Sequence, residues 1–184
     1  MVGYGGHAKS VADCIERDNH FHIVGYTELK PQETKYKYLG TDDSLHSVFE
    51  SGVHNAAICV GYLGKGELRE KLYELVKDIG FQLPVIVDPS SVISDSVKIG
   101  EGTFIGKSAV INTEAVIGKM CIINTKALIE HECVVEDFSH IAVGAVLCGQ
   151  VKVGKSAFIG ANATVIQQMK IATSKIVPAG ATIR

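Results

Sequence analysis

Residues 99–135 read IGEGTFIGKSAVINTEAVIGKMCIINTKALIEHECVV. An aliphatic residue stands at every sixth place: Ile99, Ile105, Ile111, Ile117, Ile123, Ile129 and Val135. Extended outward, the same count meets Ile, Val or Leu at seventeen consecutive positions from Val87 to Ile183. Four residues after each, small side chains dominate, among them Thr103, Ala109, Ala115, Cys121, Ala127, Cys133, Ser139 and Ala145, while Val97, Val151, Met169 and Lys175 break the rule. A period of six is neither the stripe of an amphipathic helix, about 3.6 residues, nor the two-residue alternation of a flat strand. It predicts a β-helix of six-residue repeats, each a short strand and a corner with the aliphatic residue inside. Each buried Ile or Val contributes about 1.5–3 kcal/mol, so such a prism is stable without aromatic residues.

The chain changes character near Pro84. Before it, strand and helix patterns alternate: a glycine turn and helix start at residues 2–9, strands at 22–26, 56–60 and 82–87, and helices at 43–49 and 66–79. In the last helix Leu68, Leu72, Leu75, Val76 and Ile79 fall at helical spacing. This alternation predicts a small parallel α/β unit. The expected division is therefore a Rossmann-like domain at 1–84, then a β-helix domain at 85–184. Only Met1 and Val2 precede the glycine turn and no closing tail follows Ile183, which leaves trimming at either end open.

The totals narrow the function. A net charge of −2 without basic runs argues against nucleic acid and against a membrane surface. No signal peptide and no apolar span of roughly 18 residues occurs, so a cytoplasmic location is expected. The five cysteines, Cys14, Cys59, Cys121, Cys133 and Cys148, have no CxxC spacing and read as reduced, mostly buried thiols.

Charge gathers in one coil. Eight acids lie beyond residue 85, and Glu130, Glu132, Glu136 and Asp137 are four of them, with His131 and His140 in the same stretch. The inward register of Ile129, Val135 and Ile141 continues through it, so the charge sits on outward positions. If coils stack every eighteen residues, His131 shares a column with Thr113, Gly149 and Gln167, and Glu132 with Glu114, Gln150 and Gln168. A solvated charged loop is one reading. The other is a general base, His131, held by Glu132, beside a glycine that leaves room for a slender substrate arm. The glycine turn Gly3-Tyr4-Gly5-Gly6-His7-Ala8 is likewise either a tight strand–helix connection or a helix N-terminus offering N–H groups to a phosphate or carboxylate. Gly3, Gly5, Gly6, His7, Lys9 and Arg69 are the candidate substrate residues, with Glu28 the best substitute for a ribose-binding acid.

With these features together, the chain resembles the hexapeptide-repeat acyltransferases, and over its whole length their sugar O-/N-acetyltransferase family, which includes sialic acid O-acetyltransferases and N-acetyltransferases of nucleotide-linked 4-amino sugars. The motif Glu130-His131-Glu132-Cys133, with His140 nine residues after His131, carries the resemblance. It implies a left-handed parallel β-helix with three strands per coil, a homotrimer, and acetyl-CoA as co-substrate without a metal. It implies direct transfer in a ternary complex with His131 as base and Glu132 as its partner, and His140, Gly149, Ala161 and Ala179 on the acetyl-CoA side, Gly149 through its N–H as oxyanion donor. Family members commonly carry Asp-Asp where Thr27-Glu28 stands here, which leaves nucleotide and sugar open. Two alternatives remain: a non-catalytic sugar-binding or scaffolding β-helix, and a γ-type carbonic anhydrase, whose three zinc-binding histidines are not matched by His131 and His140 alone.

Overall fold

The computed structural model describes residues 1–61 and 67–184. They form two compact units, one of Met1–Gly61 with Glu67–Pro84 and one built on Val85–Arg184.

The first unit is a minimal parallel sheet flanked by helices. Helix α1 (Gly6–Asp18) follows the glycine turn, and strands β1 (Tyr26–Thr27) and β2 (Tyr38–Gly40) pair in parallel. Val2 bridges Thr27 on one side and Ile58 on the other, and Asn55 bridges Gln82. Helices α2 (Leu45–Glu50), after a short 3-10 turn, and α3 (Glu67–Ile79) complete the unit. Several details differ from the sequence reading. Of the strand expected at 22–26 only Tyr26 enters the ladder, and the one expected at 82–87 divides at Pro84, which has no N–H to give a ladder. Ile86 and Val87 instead begin the β-helix. Gly66, the expected start of the last helix, lies outside the described residues. On α3 the buried face is Arg69, Leu72, Tyr73 and Val76, while Leu68 and Leu75 are exposed. Arg69 lies on the buried face, where its guanidinium donates to the Val60 carbonyl.

The second unit is a left-handed parallel β-helix. Seventeen two-residue strands recur every six residues from Ile86–Val87 to Thr182–Ile183, and each pairs in parallel with the strand eighteen residues on. They make three faces of six, six and five strands. Face I begins at Ile86–Val87, face II at Val92–Ile93 and face III at Lys98–Ile99. The second residue of each strand points inward, and from Ile105 to Val165 all eleven are at most 2% exposed.

The small inward residues carry a second regularity. The Thr103 and Ser139 hydroxyls donate to Gly118 O and Gly154 O, and the Cys121 and Cys133 thiols to Glu136 O and Cys148 O, always fifteen residues ahead. Each buried polar group is thereby satisfied. Burial also pushes the Cys133 thiol up to about 11, and all five cysteines are free. The corners turn two residues after each inward aliphatic. Their second residue is left-handed even when it is not glycine: Glu114, Met120, Lys126, Glu132, Phe138, Gln150 and Gln168 have φ between 57° and 64°. A carbonyl of the preceding coil holds several of these corners, as in Glu132 N–H to Thr113 O at 3.0 Å.

Two expectations follow. Ile123→Ala, at a fully buried position, should cost about 2–5 kcal/mol in urea unfolding, whereas Lys152→Ala on the outside of face III should stay within about 0.5 kcal/mol. At the first coil Asp88 has a fully buried side chain that accepts from the Ser90 N–H and hydroxyl and pairs with Lys107 at 3.3 Å. Burial alone would push this carboxyl up, but Ser90 and Lys107 outweigh it and hold it below its ordinary value. Its stabilising contribution is therefore full above the unfolded carboxylate range and is lost as pH falls through the depressed folded value. Denaturation midpoints of wild type and Asp88→Asn should converge as the pH falls through that window.

Candidate active site

The corner between faces II and III brings the sequence-predicted pair together. Leu128–Ile129 lies between Val110–Ile111 and Val146–Leu147, so His131 and Glu132 stand over Thr113 and Glu114 and under Gly149 and Gln150. His131 Nδ1 is 3.0 Å from Glu132 Oε2, and both side chains are about half exposed (49% and 46%). The His131 ring, then the Gln150 amide, outweigh the opposing effect of burial and hold the Glu132 carboxyl below its ordinary value. An ionised carboxylate only accepts, so Nδ1 carries a proton, and in the neutral ring the lone pair is on Nε2.

Nε2 points at the next coil. A Cβ built on Gly149 would lie 2.5 Å from His131 Nε2 and 2.6 Å from Cε1. Only a residue without a side chain leaves the ring where it is. The corner N–H groups supply a further difference. Asn112 Oδ1 takes the Thr113 N–H at 2.8 Å, and Glu130 Oε2 lies 3.4 Å from the His131 N–H while accepting from Asn112 Nδ2 at 2.9 Å. Cys148, in the matching place, has no oxygen to offer, and among the described residues no acceptor takes the Gly149 N–H. His131 Nε2 and an unpaired backbone donor thus adjoin at one corner.

Gln150 and Gln168 were placed in the Glu132 column by the period of eighteen, but nothing in residue type announced that their amides would reach one another. They do: Gln150 Nε2 donates to Glu132 Oε2 and Gln168 Nε2 to Gln150 Oε1, each at 3.0 Å.

The remaining β-helix candidates stand elsewhere on the prism. His140 lies in a strand of face I, 7% exposed, edge-on to Phe158 with ring centroids 5.0 Å apart. Asn124 Oδ1 accepts the Thr125 N–H, so its Nδ2 donates to His140 Nε2 at 3.3 Å. Ala161 and Ala179 occupy the corner between faces I and II. One chain therefore brings His131, Glu132 and Gly149 together, but not these three with them.

In the first unit the glycine turn is braced from two sides. Gly3 has φ +87°, and a Cβ there would meet Val60 Cγ2 at 2.8 Å. The Glu28 carboxylate accepts the Tyr4 N–H and the Leu29 N–H, each at 2.9 Å. Arg69, 2% exposed, donates to Val60 O. Glu28 and Arg69 thus hold the turn. Gly5 and Gly6, at the start of α1, and Lys9 face solvent, and His7 is half-buried. Among the described residues no group of three or more His, Cys, Asp or Glu could hold a metal ion, and no helix is long and apolar enough to cross a membrane.

Known proteins share this architecture. The family model of the PglD N-terminal domain matches residues 1–76. Perosamine N-acetyltransferase from Caulobacter crescentus, solved as a histidine-to-asparagine mutant with CoA and GDP-perosamine, is 31% identical with a TM-score of 0.94, over 100% of this chain and 86% of that one. The acetyltransferase domain of PglB from Neisseria gonorrhoeae, solved with acetyl coenzyme A, is 28% identical with a TM-score of 0.90, over 99% of this chain and 90% of that one. With that identity sustained along its whole length, the chain belongs to the hexapeptide-repeat family of sugar N-acetyltransferases.

Proposed function

We propose that the chain moves the acetyl group of acetyl-CoA to the amino group of a nucleotide-linked amino sugar, with His131 as general base. The observation that carries this reading is the placement of His131 Nε2 against Gly149 with its tautomer set by Glu132. Support comes also from two neighbours, one solved with CoA and GDP-perosamine and one with acetyl coenzyme A. The thioester supplies the activated acyl group and a thiolate leaving group.

As the amine nitrogen forms its bond to the thioester carbon, Nε2 takes the ammonium proton, and Glu132 stabilises the resulting imidazolium. The Gly149 N–H, left without an acceptor, would donate to the developing oxyanion and stabilise charge present only near the transition state. When the carbon–sulfur bond breaks, the same imidazolium returns a proton to the departing sulfur. No covalent enzyme intermediate arises, so holding two substrates in line supplies much of the acceleration. His140, Ala161 and Ala179 are proposed for the cofactor side. Gly3, Gly5, Gly6, His7 and Lys9 are proposed for the acceptor, with Glu28 and Arg69 acting through the turn they brace.

A homotrimer fits this reading. Val92 and Val116, on the faces that meet at the His131 corner, are 64% and 40% exposed, and Val110, Leu128, Val134 and Val146 are half-buried around them. A neighbouring prism would cover these apolar side chains and add residues to a site that one chain leaves divided.

The test is release of free CoA from acetyl-CoA with GDP-perosamine, UDP- and dTDP-linked amino sugars, sialic acid and CMP-sialic acid as acceptors. Turnover is expected with an amino sugar nucleotide. Acetyl-CoA binding without transfer to any acceptor would contradict the catalytic reading, and transfer only to sialic acid would replace amine by hydroxyl. His131→Ala should lower kcat by about 100-fold or more. Gly149→Ala should fold normally, since an imidazole tip yields more easily than backbone. By displacing the ring it should lower kcat by about 100-fold.

A further inference from the structure

We propose that Gln150 and Gln168 are positioning residues for acetyl transfer, an amide relay along the corner that holds the Glu132 carboxylate in place against the His131 ring. The inference rests on the reading of His131 as the base.

Both glutamines are second corner residues with φ 64°, and their main chains are tied to the catalytic coil. The Gln150 N–H donates to His131 O at 2.9 Å and the Gln168 N–H to Gly149 O at 3.0 Å. Their side chains repeat this direction: each amide N–H donates one coil back, Gln168 to Gln150 and Gln150 to Glu132, so the relay ends on the carboxylate. Glu132 Oε2 therefore receives two donors at 3.0 Å, the His131 ring and the Gln150 amide.

The consequence is chemical. A half-exposed carboxylate joined to one imidazole would rotate about its terminal torsion and exchange partners with water. The second donor pins Oε2, and through it the ring tautomer that leaves Nε2 as the base. An amide does so without charge. A lysine there would compete with the imidazolium for Glu132, and a glutamate would repel it.

The test compares Gln150→Met, which keeps the length and loses the amide, with Gln150→Asn, which keeps the amide and a side chain tolerant of positive φ but falls short of Glu132. Glu132→Gln, the double variant with Gln150→Met, and His131→Ala complete the set. Long-range proton–nitrogen NMR of the His131 ring in the neutral form reports the tautomer and needs no acceptor. Kinetics with acetyl-CoA and GDP-perosamine report function. Expected are a single Nδ1–H tautomer in wild type, mixed tautomers in both Gln150 variants, and about tenfold lower kcat at unchanged KM for acetyl-CoA, the size of one charge-assisted hydrogen bond. On the Glu132→Gln background, Gln150→Met should add nothing. An unchanged tautomer in both Gln150 variants overturns the relay and leaves the base assignment standing. Full activity of His131→Ala overturns the base assignment itself, whatever the Gln150 variants do.

Discussion

The parallel hydrogen bonding of each two-residue strand to the strand eighteen residues ahead is the constraint on which the second unit depends. It fixes every residue directly over its counterpart one coil away, as Leu128 stands between Val110 and Val146. Inside, that register stacks aliphatic on aliphatic, buried from Ile105 to Val165, so the core needs no aromatic residues. Outside, it turns residues far apart in sequence into neighbours in a column. The His131–Gly149 contact is a consequence of this register, as is the Glu132–Gln150–Gln168 ladder.

The corners are where the scaffold tolerates chemistry. From Ile105 to Val165 the inward positions are buried, whereas the two corner residues are held by backbone contacts and leave their side chains outside. That is why the repeat accepts Glu130, His131 and Glu132 in one coil without a slip at Ile129 or Val135. The positive-φ corner residue costs some conformational energy when it is Glu or Gln rather than Gly. In return a long polar side chain is displayed from a rigid point, which is what a positioned carboxylate needs.

Most of the β-helix was legible because its signal is additive: a single aliphatic residue says little, but seventeen in phase exclude other periods. The corner pair was legible for the same reason, since counting by eighteen puts Gly149 beside His131. Three things were not. The buried face of α3 was misread at Leu68 and Leu75, because apolarity is a poor guide where an arginine, Arg69, finds a carbonyl inside. Glu28, expected on the substrate side, also holds the Tyr4 N–H through its carboxylate, a contact across 24 residues with no local pattern. The reach of Gln150 to Glu132 depends on side-chain torsions, which residue spacing does not encode.

The most direct measurement of the central claim is a structure of this chain with CoA and a nucleotide-linked amino sugar bound. The account predicts the acceptor amine within about 3.2 Å of His131 Nε2, with the CoA sulfur beside the Gly149 N–H at the same corner. A CoA sulfur or amine seated at another corner, with His131 facing only solvent, would contradict it.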